Sequence, residues 1–231
     1  MSDNVSDSQQ EQKATGSGDS TSRFDEAAQS WDDKPERREL AAAVAQAMLE
    51  ELPLTSEMQI MDFGTGTGLI ARALAPKVDS VIAADTSTEM LAVLETKAQA
   101  AGLTAIRPLL LEAGCESHAG QTYDAIVSSM VLHHVLDIAG LVRRLAQWCR
   151  PGGWVALADL EPEDGTFHHD PREVVHHGID PTDLASQLEA VGFTTSSIRT
   201  VHTLRRPPAE GAEPRDYPVF LFVAHKALEV A

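Results

Sequence analysis

One nine-residue stretch constrains the fold more than any other: Ile60-Met61-Asp62-Phe63-Gly64-Thr65-Gly66-Thr67-Gly68. An apolar run ends in a carboxylate, breaks into alternating glycines, and leads directly into Leu69-Ile70-Ala71-Arg72-Ala73-Leu74, which reads as a helix. A strand, a tight turn and a helix in that order form the opening of a parallel-sheet unit. The glycines permit positive φ and let a ligand approach the backbone closely. A dinucleotide fingerprint would need G-x-G-x-x-G, but Leu69 stands three residues after Gly66 and the third glycine is Gly68. That spacing does not suit a pyrophosphate cradle.

Along the rest of the chain, short β-rich runs alternate with helical patterns, the signature of a parallel sheet with crossover helices on both faces. Strands are predicted over 59–63, 80–84, 104–110, 125–128 and 154–160, the last after the turn signal Arg150-Pro151-Gly152-Gly153. Helices are predicted over 69–75, 87–101, 131–136 and 138–149, and over 181–191 behind the capping pair Asp180 and Asp183. Two final β-rich runs, 195–204 and 219–225, have no room between them for a crossover helix and therefore form an antiparallel hairpin. Residues 1–22 are rich in Ser, Asp, Gln and Gly and read as a disordered tail. Phe24, Ala27, Ala28 and Trp31 then fall at helical spacing, so 23–52 reads as a helical cap and 53–231 as the main domain.

Charge and cysteine content narrow the partners. Eighteen Lys and Arg against 35 Asp and Glu give a formal charge of -17, and no basic cluster offers a footprint for a phosphate backbone, so nucleic acid is not expected as a partner. The same acidity disfavours anionic membrane surfaces, and no run reaches the roughly 18 apolar residues of a spanning helix. Met1 to Lys13 is polar, unlike a signal peptide. The cysteines are Cys115 and Cys149, without disulfide or zinc spacing, which fits a reducing cytoplasm.

A second strand, Val81-Ile82-Ala83-Ala84-Asp85, also ends in an acid, where a carboxylate can accept both hydroxyls of a ribose. Thr86 to Met90 begins a helix beside it, with Met90 available to an adenine ring. Taken together, these residues resemble the class I S-adenosylmethionine-dependent methyltransferases over roughly residues 23 to 225. Asp62 to Gly68 resembles the family's first motif, Asp85 its ribose-binding acid, and Glu112-Ala113 the acid-Ala step at the adenine amine, with Glu for the commoner Asp. Tyr123 to Ser128 resembles its fourth strand, and the terminal hairpin its reversed last strand. The resemblance implies a Rossmann-like α/β fold: a seven-stranded, mostly parallel sheet in the order 3-2-1-4-5-7-6, the last strand antiparallel, under an N-terminal helical cap. It implies a cofactor site made of Asp62, Gly64, Thr65, Gly66, Gly68, Asp85, Thr86, Met90, Glu112, Ala113 and Ser128, binding S-adenosylmethionine and its product S-adenosylhomocysteine. Phe24 to Asp32 resembles the lid helix of members that methylate small molecules, and the general plan is similar to the ubiquinone-biosynthesis type.

The acceptor side is read from residue chemistry. His133 and His134 follow the fourth strand and His168 follows the fifth, near the carboxyl ends where open α/β sheets bind ligands. Methyl transfer from a sulfonium is a direct displacement, so an imidazole could take the acceptor's proton; His133 and His168 are the candidates. Trp31, His134, Asp159, Glu161 and His177 are expected to bound the substrate, a small molecule. His168, His169, His176 and His177 with Asp159 and Glu161 have metal-ligand chemistry, but their spacing fits no standard signature and no metal is expected. Two other readings stay open: a noncatalytic cofactor-binding regulatory module, and a nucleotide-dependent oxidoreductase.

Overall fold

A computed structural model describes residues 16–111, 121–168, 175–208 and 212–228. Its strands are β1 (Gln59–Phe63), β2 (Ser80–Asp85), β3 (Ile106–Leu110), β4 (Tyr123–Ser129), β5 (Cys149–Leu160), β6 (Phe193–Arg206) and β7 (Arg215–Lys226). They form one sheet in the order β3-β2-β1-β4-β5-β7-β6. The four pairings among β1 to β5 are all parallel, whereas β7 runs antiparallel to both β5 and β6. The helices are α1 (Gly16–Ala27), α2 (Pro35–Glu51), α3 (Leu69–Leu74), α4 (Thr88–Ala100), α5 (Ile138–Trp148) and α6 (Pro181–Glu189). This is the Rossmann-like architecture and strand order that the family resemblance implied.

Strand periodicity divides the core in two. Along β7, Val219, Leu221 and Val223 join α2, α3 and α4 on one face, while Phe220, Phe222 and Ala224 join α5 and α6 on the other. Side chains two residues apart share a face, so the continuous apolar run in this strand records burial on both sides. Helix α5 buries Leu141, Val142, Leu145 and Trp148 along one stripe. Its N-terminus is fixed by Asp137, which accepts from Gly140 N at 2.7 Å. Asp180 caps α6 in the same way, accepting from Thr182 N at 2.8 Å.

Three local differences from the sequence expectations have physical causes. Residues 131–136 are not a helix but a single 3-10 turn, Leu132–His134, because the buried Asp159 captures the N–H groups of Leu132 and His133. Strand β5 begins at Cys149 instead of 154: Cys149 pairs with Tyr123, and the register then shifts before Ala125 meets Trp154, so Arg150 to Gly153 bulges within the strand. Helix α1 starts at Gly16, inside the stretch expected to be tail. Phe24 and Ala28 anchor its far end, and extending an anchored helix is much easier than nucleating one. Among the described residues no helix is long and apolar enough to cross a membrane.

Candidate active site

The residues singled out in the glycine turn gather at the carboxyl edge of the sheet. Gly64 has φ of 71°, and a Cβ there would lie 2.3 Å from Val131 Cγ2, so the turn tolerates no side chain at this point. At Gly66 an added Cβ would meet no heavy atom within 4 Å, leaving its face open to a ligand. The turn hangs from β2: Gly64 N and Thr65 N donate to Ala84 O at 2.8 and 3.0 Å, and Gly66 N donates to Asp85 Oδ2 at 2.7 Å. Asp85 Oδ1 accepts from Ser87 N at 2.9 Å. A carboxylate has about four lone-pair sites, so both oxygens keep capacity for the two hydroxyls of a ribose. Burial raises the Asp85 carboxyl above its ordinary pKa, which favours a site where incoming donors stabilise the charge.

Asp62 lies beneath the turn. Its Oδ2 accepts from Thr65 Oγ1 at 2.7 Å and from Ala71 N at 3.1 Å, tying the glycine turn to α3. It is therefore placed to shape the turn from below. Desolvation pushes its pKa up from 3.8 to about 7, against the lowering effect of those two hydrogen bonds. Between these values the folded chain keeps a proton that the unfolded chain releases, so this group lowers stability as pH rises from about 4 to about 7, by up to roughly 4 kcal/mol. Asp62→Asn is expected to abolish that component: urea unfolding of the two proteins should show a difference in favour of the variant that grows across this pH interval. A constant difference would mean Asp62 is ionised throughout.

The N-terminal segment closes onto these elements. Asp25 accepts from Ser87 Oγ at 2.5 Å and from Glu89 N at 3.3 Å, at the start of α4. Asp32 accepts from Thr67 Oγ1 at 2.6 Å and Lys97 Nζ at 2.5 Å, and lies 3.6 Å from Arg72. Met90 is buried with Ala28 and Val93, with Phe24 and Trp31 packed against them. The Arg37 guanidinium stacks 3.6 Å over the Trp31 ring, while Arg38 bonds to Asp32 O. Both arginines thus bind within the N-terminal segment itself. Thr86 is exposed beside Asp85, and Ser128 spends its hydroxyl on Phe63 O at 2.8 Å, joining the ends of β4 and β1. Glu112 and Ala113 lie outside the described residues.

The histidine turn follows β4 directly. Met130 has φ of 60°, a left-handed conformation that costs a non-glycine residue about 1–2 kcal/mol, and its N–H donates to Ala158 O at 2.8 Å. The chain thereby swings Val131 against Gly64 and His133 toward β5. Asp159 is wholly buried and accepts from Leu132 N at 2.7 Å, His133 N at 3.3 Å, Leu160 N at 2.7 Å and His133 Nδ1 at 2.5 Å. A proton on Nδ1 leaves the His133 Nε2 lone pair directed away from the carboxylate. The His133 ring centroid is 4.0 Å from that of His134 and 5.2 Å from that of His168, and Phe24 of the N-terminal segment lies edge-on to His134 at 5.5 Å.

The structure brings His133, His134 and His168 together but sets the acids expected to bound the substrate elsewhere. Asp159 has no exposed surface and holds the turn from behind. Glu161 accepts from Thr200 Oγ1 at 2.8 Å on β6, and His177 is mostly exposed, 3.4 Å from Glu163; neither joins the cluster. Asp25, Asp32, Thr67 and Met130 went unread, although the acids of the Phe24 to Asp32 stretch carried a signal: both occur within its apolar helical spacing. His169 lies outside the described residues.

Comparison with known proteins agrees with this geometry. Residues 34–198 match the family model of a methyltransferase domain. An uncharacterized methyltransferase of Schizosaccharomyces pombe is 31% identical over 157 residues, covering 62% of this chain and 51% of that protein. A ubiquinone biosynthesis O-methyltransferase of Methylocella silvestris is 38% identical over 104 residues, covering 45% and 40%. The chain thus aligns with about half or less of the length of these relatives. The structure of DhpI in complex with S-adenosylhomocysteine superposes with a TM-score of 0.66 at 21% identity, covering 94% of this chain and all of that one. With a family match over most of its length and the sheet order, glycine turn and paired acids described above, this chain belongs to the class I S-adenosylmethionine-dependent methyltransferases.

Proposed function

We propose that this protein methylates a small-molecule acceptor, which it holds between the glycine turn and the histidine turn. The observation that carries this reading is the contact of Val131 with Gly64, two residues before a buried histidine whose Nδ1 is engaged by Asp159. It brings the histidine turn against the glycine turn, which supports a basic nitrogen acting near the cofactor. Asp85 would accept the ribose hydroxyls, Gly66 would admit the ligand against its open face, and Met90, Thr86, Glu112 and Ala113 would border the adenine. When bound, S-adenosylmethionine supplies an electrophilic methyl on a sulfonium sulfur, which leaves as the neutral thioether. His133 Nε2 takes the proton from the acceptor as its lone pair closes on the methyl carbon, and His134 and His168 flank the acceptor. Trp31 and Phe24 keep water out from the lid side. A net charge of -17 supports an acceptor that is not a polyanion.

The test is incubation with methyl-labelled S-adenosylmethionine and a panel of phenols, carboxylic acids, amines and thiols, for the unaltered chain and for His133→Gln. Labelled product is expected from the former and about 100-fold less from the latter, with S-adenosylhomocysteine binding unchanged by calorimetry. Binding without transfer to any acceptor would favour a noncatalytic module. Failure to bind either ligand would overturn the reading altogether.

A further inference from the structure

The histidine turn holds more than a single base needs. The coordinating nitrogens of His133, His134 and His168 all lie within 4.8 Å of one another. The three rings come from two segments, one after β4 and one after β5, and their centroids are 4.0, 5.2 and 5.6 Å apart. We infer that these three imidazoles form a site for a divalent transition metal of the zinc class, with Asp159 as the carboxylate that orients His133.

The cluster shows more than proximity. A metal-ligating histidine is characteristically held by a carboxylate or carbonyl on its other nitrogen, which selects the tautomer and fixes the ring's orientation. Asp159 does this at 2.5 Å from His133 Nδ1, and its second oxygen fixes the backbone of the same turn through Leu132 N and His133 N. From the opposite side, His133 O accepts from Val175 N at 3.1 Å and His176 N at 3.0 Å. The first ligand is therefore locked on both flanks before any ion arrives. The other two rings are seated by aromatic edges, His168 against Phe167 at 4.9 Å and His134 against Phe24 at 5.5 Å. They are only partly buried. Bonds of about 2.0 Å in a tetrahedral zinc site put ligand nitrogens about 3.3 Å apart, so the widest pair must close by at most about 1.5 Å.

Imidazole ligands suit zinc, copper, nickel and iron over magnesium or calcium, and the acidic surface of this chain draws cations generally. Three protein ligands leave a fourth position open, the arrangement of sites that bind a water or a substrate oxygen and make it more acidic. This inference goes beyond methyl transfer and does not depend on it. Where both hold, the metal takes over from His133 Nε2 the task of freeing the acceptor from its proton, and the acceptor class narrows to molecules with an oxygen able to bind a metal.

The test uses the full chain, stripped by chelator and dialysed, then titrated with cobalt(II) followed by visible absorption and with zinc(II) followed by calorimetry. Variants are His133→Gln, His134→Gln, His168→Gln and Asp159→Asn, with His202→Gln on β6 as a control, and folding of each is checked by circular dichroism. One equivalent is expected to bind, with a tetrahedral cobalt spectrum. Affinity should fall at least about 100-fold in each cluster variant, about 10–100-fold in Asp159→Asn, and not at all in the control. His134 is partly exposed, so its variant remains informative if a buried one fails to fold. No stoichiometric binding, or binding that survives His134→Gln and His168→Gln, would overturn the site. Titrating S-adenosylhomocysteine into the same samples separates the two readings: cofactor binding without metal sinks only the metal site, and metal without cofactor sinks only the methyl-transfer reading.

Discussion

Asp159→Ala is expected to destabilise the fold by about 4–6 kcal/mol, the largest loss foreseen for any one polar side chain here. The change leaves the N–H groups of Leu132, His133 and Leu160 and the Nδ1 of His133 without the acceptor they share. A buried donor left unpaired costs about 1–3 kcal/mol, and the four do not add fully because water enters the space vacated. Against the total stability of about 5–15 kcal/mol usual for a domain, such a loss puts the protein near its folding threshold. Urea unfolding at neutral pH measures it directly. Asp159→Asn keeps one carbonyl oxygen and should lose roughly half as much. A change below about 1 kcal/mol for the alanine variant would mean the carboxylate does not hold the turn.

Asp85→Ala should separate affinity from stability. Two hydrogen bonds from ribose hydroxyls to a charged acceptor contribute about 1.5–3 kcal/mol each, so S-adenosylhomocysteine is expected to bind at least about 100-fold more weakly. The unliganded fold changes much less. The variant loses bonds from Gly66 N and Ser87 N, but it also removes a carboxylate whose burial is unfavourable enough to raise its pKa. Calorimetry beside thermal unfolding distinguishes the outcomes: a large affinity loss at a nearly constant midpoint supports direct ribose contact, whereas a comparable fall in both would make Asp85 a scaffold residue.

How far the sequence alone reached depended on how local the determining physics was. The glycine turn could be read because its constraint lies within nine residues: a carboxylate, positive φ and an open backbone face all follow from residue type. Strand positions were legible because β1, β2 and β4 are short apolar runs between polar turns, and the order of strands followed from family likeness. The 3-10 turn after β4 was not legible, because it is dictated by Asp159, which is 27 residues from Leu132 in the chain. Nothing near Val131 announces that its neighbours' N–H groups will be taken by a distant carboxylate. Glu161 was misplaced for the same reason, since its partner Thr200 is 39 residues away. His134 and His168 were recognised as chemistry-bearing, but their convergence depends on how β4 and β5 lie side by side.

Asp32 joins three elements with a single carboxylate: Thr67 in the glycine turn, Arg72 in α3 and Lys97 in α4. A latch of this kind cannot be released by degrees. Tilting the N-terminal segment enough to free one partner pulls the carboxylate from the others, so partial release forfeits most of the attraction. Release of the segment is therefore expected to be a two-state event with a threshold. Because the latch is partly ionic and near the surface, salt is expected to weaken it by screening and so to loosen the N-terminal segment while leaving the glycine turn itself unchanged.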